Sequence, residues 1–183
     1  MGRHHIGHAY TAGREHQIVR ATANDIEIVL RLRDDAARWM VDRGITQWHT
    51  GEVPPKMIED RVAQGAVFLL RCDSEVVGTV TVTWSDDTTW GDRTGDAGYV
   101  HMLVVAAPLR GTGAGRDLLA WAERYVAGAG KRWARLDCVR TNGPLRRWYE
   151  RMSYTHVGDH ELTVPAWASP VALYEKDLNH ARG

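Results

Sequence analysis

Apolar residues recur along this chain at two spacings, and the switches between them mark out its elements. Gln17 to Arg20 reads as a short strand. Behind it, Thr22-Ala23-Asn24-Asp25 offers a capping-box start, and Ile26, Leu30, Ala37 and Val41 then repeat at helical spacing until Gly44. A loop from Ile45 to Val53 carries Gln47-Trp48, and Pro54-Pro55 opens a shorter helix holding Met57, Ile58 and Val62 that ends at Gly65. Ala66 to Cys72 is an apolar run, and Asp73-Ser74-Glu75 is turn chemistry. Val76 to Trp84 alternates, with Val76, Gly78, Val80, Val82 and Trp84 predicted on one face and Val77, Thr79, Thr81 and Thr83 on the other. The two runs predict a β-hairpin. Ser85 to Gly98 reads as a loop, and Tyr99 to Val105 as a strand buried on both faces.

Beyond Pro108 the pattern becomes strand, glycine loop, helix. Gly111-Thr112-Gly113-Ala114-Gly115 precedes Leu118, Ala122, Tyr125, Val126 and Ala129, which repeat at helical spacing before Gly128 and Gly130 close the element. Trp133 to Val139 is a further strand, and Asn142-Gly143-Pro144 opens a helix with Leu145, Trp148, Tyr149 and Met152 on one stripe. Tyr154 to Val157 and Val171 to Leu178 are closing strands. The order β-α-α-β-β-β-α-β-α-β-β predicts an α/β fold, a mixed β-sheet flanked by helices. Neither a repeat nor a long linker interrupts it, so residues 16–180 read as a single domain behind a mobile tail at 1–15.

Composition narrows the chemistry. Of 183 residues 44% are hydrophobic, enough for a buried core, and Lys plus Arg equals Asp plus Glu at 23 each, so no overall field recruits nucleic acid. Cys72 and Cys138 lack the spacing of a zinc site or a staple and read as buried free thiols; no metal is expected. No signal segment or membrane-spanning run is written in the chain, which predicts a cytoplasmic protein, monomeric or homodimeric, without a membrane partner.

The glycine loop is the first chemical signal. Three glycines in five residues remove side chains where a strand passes into a helix, so backbone N–H groups can gather on an anion at the positive helix end. Arg116-Asp117 stands where a P-loop needs Lys-Ser or Lys-Thr, and a dinucleotide fingerprint would follow the first strand instead. Arg110, Gly113 and Gly115 do meet the pattern R-x-x-G-x-G/A. With the strand His101-Met102-Leu103-Val104-Val105 before it, and Asn142, Leu145 and Trp148-Tyr149-Glu150-Arg151-Met152 after it, the chain resembles the GNAT superfamily of N-acetyltransferases over residues 17–178.

That resemblance implies acetyl-CoA as co-substrate, its pyrophosphate held by the loop residues Arg110, Gly111, Thr112, Gly113, Ala114, Gly115 and Arg116. It further implies that the fourth and fifth strands splay, leaving amides near Leu103 and Val105 for the pantetheine arm, with Asn142 bonding the same arm. Asn142 reads equally as a helix cap. Transfer needs an acid for the departing thiolate, a base for the amine and a donor for the oxyanion. The resemblance suggests Tyr149 as acid, although Tyr149 also continues an apolar stripe. His101, expected to share a face with Tyr99, Leu103 and Val105, is the candidate base or else a core histidine. The backbone N–H of Val104 would polarise the carbonyl. The family motif ends in Gly-Phe where Ser153-Tyr154 stands, which places Ser153 at a backbone angle that favours glycine.

The acceptor is expected to be a small-molecule amine. Glu52, Asp86, Asp87, Asp92 and Asp96, with Trp48, Trp84 and Trp90, lie in or beside loops near the expected cleft and would suit a cationic or aromatic amine. A non-catalytic acyl-CoA-binding module and a transferase of longer acyl groups would share these features.

Overall fold

The computed structural model describes residues 16–91, 93, 95–161 and 169–179; the tail with its histidines, and Asp92, lie outside them. The elements are β1 (His16–Arg20), α1 (Ile26–Val41), α2 (Pro55–Ala63), β2 (Val67–Cys72), β3 (Glu75–Thr83), α3 (Asp87–Trp90), β4 (Ala97–Val105), α4 (Ala114–Gly128), β5 (Trp133–Val139), α5 (Gly143–Arg151), β6 (Thr155–His160) and β7 (Val171–Asp177). This is the expected order with one addition. The stretch read as a loop from Ser85 to Gly98 contains the single turn α3, and β4 begins at Ala97. Local cause is visible: Asp86 accepts from Thr89 N at 3.1 Å, capping a turn too short to show a period.

Seven strands form one sheet in the order β1-β2-β3-β4-β5-β7-β6, antiparallel except for β4 beside β5. α4 covers one face through Leu118, Leu119, Trp121, Ala122 and Val126, packed on Phe68, Leu70, Val80, Val82 and Val100, with α5 added through Leu145, Trp148 and Tyr149. α1 and α2 cover the other face of the first strands, where Val29 and Ile58 meet Val67 and Leu69. On that same side Trp90 of α3 packs on Ala97, Tyr99, Val171 and Leu173. α4 lies so close to β4 that a Cβ on Gly98 would meet Val126 Cγ2 at 2.5 Å. Among the described residues no helix is long and apolar enough to cross a membrane. Cys72 and Cys138 are buried free thiols.

Two bulges correct the facing read from strict alternation. The β2–β3 register passes from Leu70↔Gly78 to Arg71↔Val76, skipping Val77, so Val76 packs on the α1 side while Val80 and Val82 pack under α4. The β3–β4 register shifts between Thr79 and Thr81, where Met102 has φ 48°. Extra residues of this kind turn later side chains to the opposite face. His101 therefore stays with Tyr99, whereas Leu103 and Val105 join the α4 core, so the expected shared face is broken at Met102.

Ser153 adopts φ 66°, the left-handed region expected at the position of the motif glycine. A side chain there costs about 1–2 kcal/mol. Ser153→Gly is expected to raise stability by about 1 kcal/mol, a rise of about 2–4 °C in Tm, with unchanged secondary structure. An equal or lower Tm by calorimetry would show that the serine is not strained.

Candidate active site

β4 and β5 run side by side only briefly. Their ladder covers Ala97↔Trp133, Gly98↔Ala134 and Tyr99↔Arg135 and then stops, although β4 continues to Val105 and β5 to Val139. The strands part into a V in the middle of the sheet. Ala106 N donates to Val77 O at 2.8 Å, and Thr79 pairs with Val104, so the amides of Ala106 and Val104 are turned toward β3. Alternation turns those of Leu103 and Val105 into the V. The N–H of Val104, expected at the acetyl carbonyl, thus faces β3 rather than the opening. On the β5 arm, Val139 N donates to Gln47 Oε1 at 3.0 Å, and the same oxygen accepts from Asn142 Nδ2 at 3.2 Å. A loop glutamine thus closes part of the gap.

The glycine loop stands at the end of the β4 arm. Gly111 and Gly113 have φ 80° and 100°, and Gly113 is the residue that caps α4, with no side chain accepting from the first turn. Ala114, Gly115 and Arg116 are therefore first-turn residues of α4, whose amides have no carbonyl one turn back. At Gly115 an added Cβ would meet nothing nearer than Leu103 Cδ2 at 3.9 Å, so packing within the chain gives no reason for glycine there. Thr112 Oγ1 donates to Leu109 O at 2.7 Å, which holds the loop's own turn. Arg110 stacks on Trp39 of α1 at 4.9 Å, and Arg43 covers the same ring at 4.5 Å. Arg116 is exposed beside Asp117.

Toward the base of the V, β4, β5 and the segment before α3 bring His101, Asp137 and Asp86 together, their donor atoms all within 4.8 Å of one another. Thr83 Oγ1 donates to Ser85 O at 3.1 Å, so His101 Nε2, 3.2 Å away, meets that hydroxyl as a donor. Burial pulls the imidazole down to about 4, with Asp86 opposing and Arg61 of α2 adding to the shift. It is neutral at pH 7, and a weaker base than the sequence suggested. Burial, then the like charge of Asp86, pushes Asp137 up to about 7. Tyr149, on α5, packs between Tyr174 and Tyr154 at 5.7 and 6.0 Å. Burial first, then Cys138, Asp137 and Tyr174, holds its phenol well above the usual range, hence protonated at neutral pH. Asn142 Oδ1 accepts from Leu145 N at 3.3 Å, so the cap reading holds.

A parted strand pair thus stands beside an uncapped, glycine-led helix. The model of the acetyltransferase (GNAT) family matches residues 31–154. The chain belongs to this family. YesJ of Bacillus subtilis strain 168, an uncharacterised N-acetyltransferase, is 33% identical over 167 residues, covering 86% of this chain and 88% of that protein. The crystal structure of a GNAT-family acetyltransferase from Listeria monocytogenes superposes with a TM-score of 0.76 at 25% identity, over 91% of this chain and 97% of that one. Another from Streptococcus agalactiae gives 0.73 at 17% identity, over 89% and 95%, and shares the fold. The protein is an N-acetyltransferase of the GNAT type, a family that uses acetyl-CoA as co-substrate.

Within this GNAT fold the residues expected to meet the acceptor scatter. Glu52 is paired with the buried Arg33 of α1 and accepts from His49 N at 3.0 Å, so its carboxylate neutralises a core cation. Trp48 lies over the same guanidinium at 5.3 Å. Trp90 is buried under Tyr99 and Arg135, and Trp84 stacks on Tyr125 of α4, across the sheet from His101. Asp87 is exposed in the first turn of α3, and Asp96 O receives Arg132 N and Trp133 N at the start of β5. Among the described residues of this set only Asp86 reaches the cluster. Sequence reasoning missed Gln47, for which a loop gives no signal, and Asp137, the one carboxylate of β5, on the face opposite Ala134, Leu136 and Cys138.

The raised pKa of Asp137 has a stability consequence. Its ordinary carboxylate range near 4 applies to the unfolded chain, so the ionised folded form is penalised increasingly as pH rises from about 4 to about 7. Asp137→Asn removes that penalty. Its Tm is expected to exceed the wild type's at pH 8 and to converge with it at pH 4; a gap independent of pH, measured by thermal melts across that range, would contradict the assignment.

Proposed function

We propose that this protein transfers the acetyl group of acetyl-CoA directly to the primary amine of a small molecule, both bound at once, through one domain formed by residues 16–180. The observation that carries the reading is the pairing of the V with the uncapped start of α4: free strand amides for a pantetheine arm end at free helix amides for a pyrophosphate. The amides of Leu103 and Val105 take the arm, as an added strand would. Those of Gly113, Ala114, Gly115 and Arg116, with Gly111 and Thr112 shaping the turn, take the phosphates, and Arg110 adds positive charge at its edge. Asn142, held by Gln47 and its own cap, fixes where α5 starts and so where Tyr149 stands. The protonated Tyr149 gives its proton to the thiolate as the C–S bond breaks.

Gly115→Ala separates this reading from a merely structural loop. The helix tolerates alanine, and the space beside Gly115 is open, so Tm is expected to be unchanged or higher. The rise in Tm that acetyl-CoA gives to the wild type is expected to shrink, since the methyl blocks close approach to the backbone. An undiminished shift in the variant would overturn the loop's role.

Tyr149→Phe keeps the packed ring and removes the donor. General acids contribute about 100- to 10,000-fold, and a thiolate is a good leaving group, so kcat is expected to fall about 100-fold while the acetyl-CoA Kd stays put. Wild-type kcat in a chemistry-limited assay would remove Tyr149 from the acid's role, and absence of CoA release from the wild type across a broad amine screen would overturn the activity.

A further inference from the structure

The cluster at the base of the V holds an acceptor that no donor of the described residues reaches. Asp86 Oδ1 is held by Thr89 N, but Asp86 Oδ2 is sealed from water with no hydrogen-bond partner. His101 Nε2 is 3.8 Å from that oxygen, beyond hydrogen-bond reach, and faces Thr83 at 3.2 Å. Among the described residues neither Asp86 nor Asp137 pairs with a lysine or arginine; Arg135, two residues before Asp137 on the same strand, is turned to Glu175, with its Nε 3.2 Å from the carboxylate. A buried acceptor without a donor is destabilising, and two carboxylates facing one imidazole compound this. A compact, cationic group rich in N–H would satisfy these oxygens. A primary ammonium supplies three such donors.

We propose that Asp86 and Asp137 receive the acceptor's ammonium group and that Asp137 is the base that deprotonates it, an inference that rests on the acetyl-transfer reading above. The groups facing the site are Thr83 from β3, Asp86 from the segment before α3, His101 from β4, Asp137 from β5 and Arg61 from α2, with Tyr149 of α5 within the field of Asp137. Burial, with a smaller contribution from Arg61, keeps His101 neutral against the pull of Asp86, so it does not compete for the proton. The carboxyl of Asp137, pushed up to about 7, is matched to proton uptake near neutral pH. In the step, an N–H proton of the ammonium passes to the Asp137 carboxylate, and the freed nitrogen pair forms the C–N bond at the thioester carbon. The C–S bond breaks as Tyr149 protonates sulfur. The second proton lost by the nitrogen restores Tyr149, and Asp137 releases its proton to solvent, so ammonium and thioester yield amide, thiol and one proton.

The acceptor class follows from this charge. Aliphatic amines that arrive protonated are favoured, arylamines that arrive neutral are not, and a carboxylate beside the amine is repelled.

The test pairs kinetics with a direct titration, using n-butylamine as probe. Wild-type kcat/KM is expected to rise with pH along a limb near 7, with n-butylamine preferred to aniline and glycine. Asp137→Asn is expected to lower kcat/KM at least about 100-fold and abolish the limb while keeping acetyl-CoA affinity; Asp86→Asn is expected to raise KM for n-butylamine about 10-fold and move the limb to lower pH. In protein carrying 13C-carboxyl aspartate, n-butylammonium is expected to shift the resonance that Asp137→Asn deletes, and n-butanol is not. Asp137→Asn activity within twofold of wild type with the same limb, no ammonium-induced shift, or activity lost to EDTA and restored by Mg2+ would each overturn the proposal, the last by making the cluster a metal centre. A wild type inert to every amine overturns acetyl transfer and the base role together, whereas the resonance shift reads the ammonium site separately.

Discussion

A sheet that stops pairing in its middle leaves backbone groups that something else must satisfy. Beyond Tyr99 and Arg135, β4 and β5 have no ladder between them, yet both continue as strands because each keeps its other neighbour, β3 for one and β7 for the other. An orphaned amide in a protein interior is rarely tolerated without a partner. Here the chain answers only in part. Gln47 takes Val139 N, while alternation from Ala106 and Val104, which face β3, turns the amides of Leu103 and Val105 toward the gap. The nearby start of α4 repeats the situation on a helix, since Gly113 places no side chain on the first turn. Strand edge and helix end thus present one continuous line of donors, and that line sets the length and polarity of whatever lies in the V.

The bulge at Met102 makes this line usable. Without it, His101, Leu103 and Val105 would share one face, and the imidazole would sit in the same layer as the side chains packed under α4. With it, Leu103 and Val105 anchor the β4 arm in the α4 core, while His101 turns to the layer holding Tyr99 and Asp137. The arm that offers amides is fixed from one side, and the chemistry is gathered on the other. A left-handed backbone at a non-glycine residue is costly, so the surrounding pairings must hold it in place. The register on either side of the shift, Thr79↔Val104 and Thr81↔His101, does so.

What was legible in the sequence is what is local. The glycine loop, the periodic stripes of α1, α4 and α5, and the odd serine at position 153 each carry their physics within a few residues. Register does not, because a bulge is a relation between two strands and one strand's alternation is blind to it. The same limit explains Glu52. A carboxylate in a loop reads as available, and only the fold reveals that Arg33, buried in α1, has claimed it. Asp137 shares the alternate face of β5 with Arg135, opposite the buried Ala134, Leu136 and Cys138, so the pattern reads as an ordinary half-buried strand and its meaning depends on Asp86 and His101 arriving from elsewhere.

Buried charge also links the site to stability. A core guanidinium met by Glu52 is compensated within the chain, so the Arg33 pair holds the α1–α2 loop and asks nothing of a ligand. Asp86 and Asp137 are the opposite case. Their like charges face each other and a neutral imidazole, and among the described residues no lysine or arginine pairs with either carboxylate, Arg61 acting on His101 instead. Under the proposed role a bound ammonium relieves the repulsion between the two carboxylates, which couples ligand binding to folding through them. The coupling has a direction: substitutions that quiet the cluster should strengthen the fold and weaken the site, which separates a residue kept for chemistry from one kept for packing.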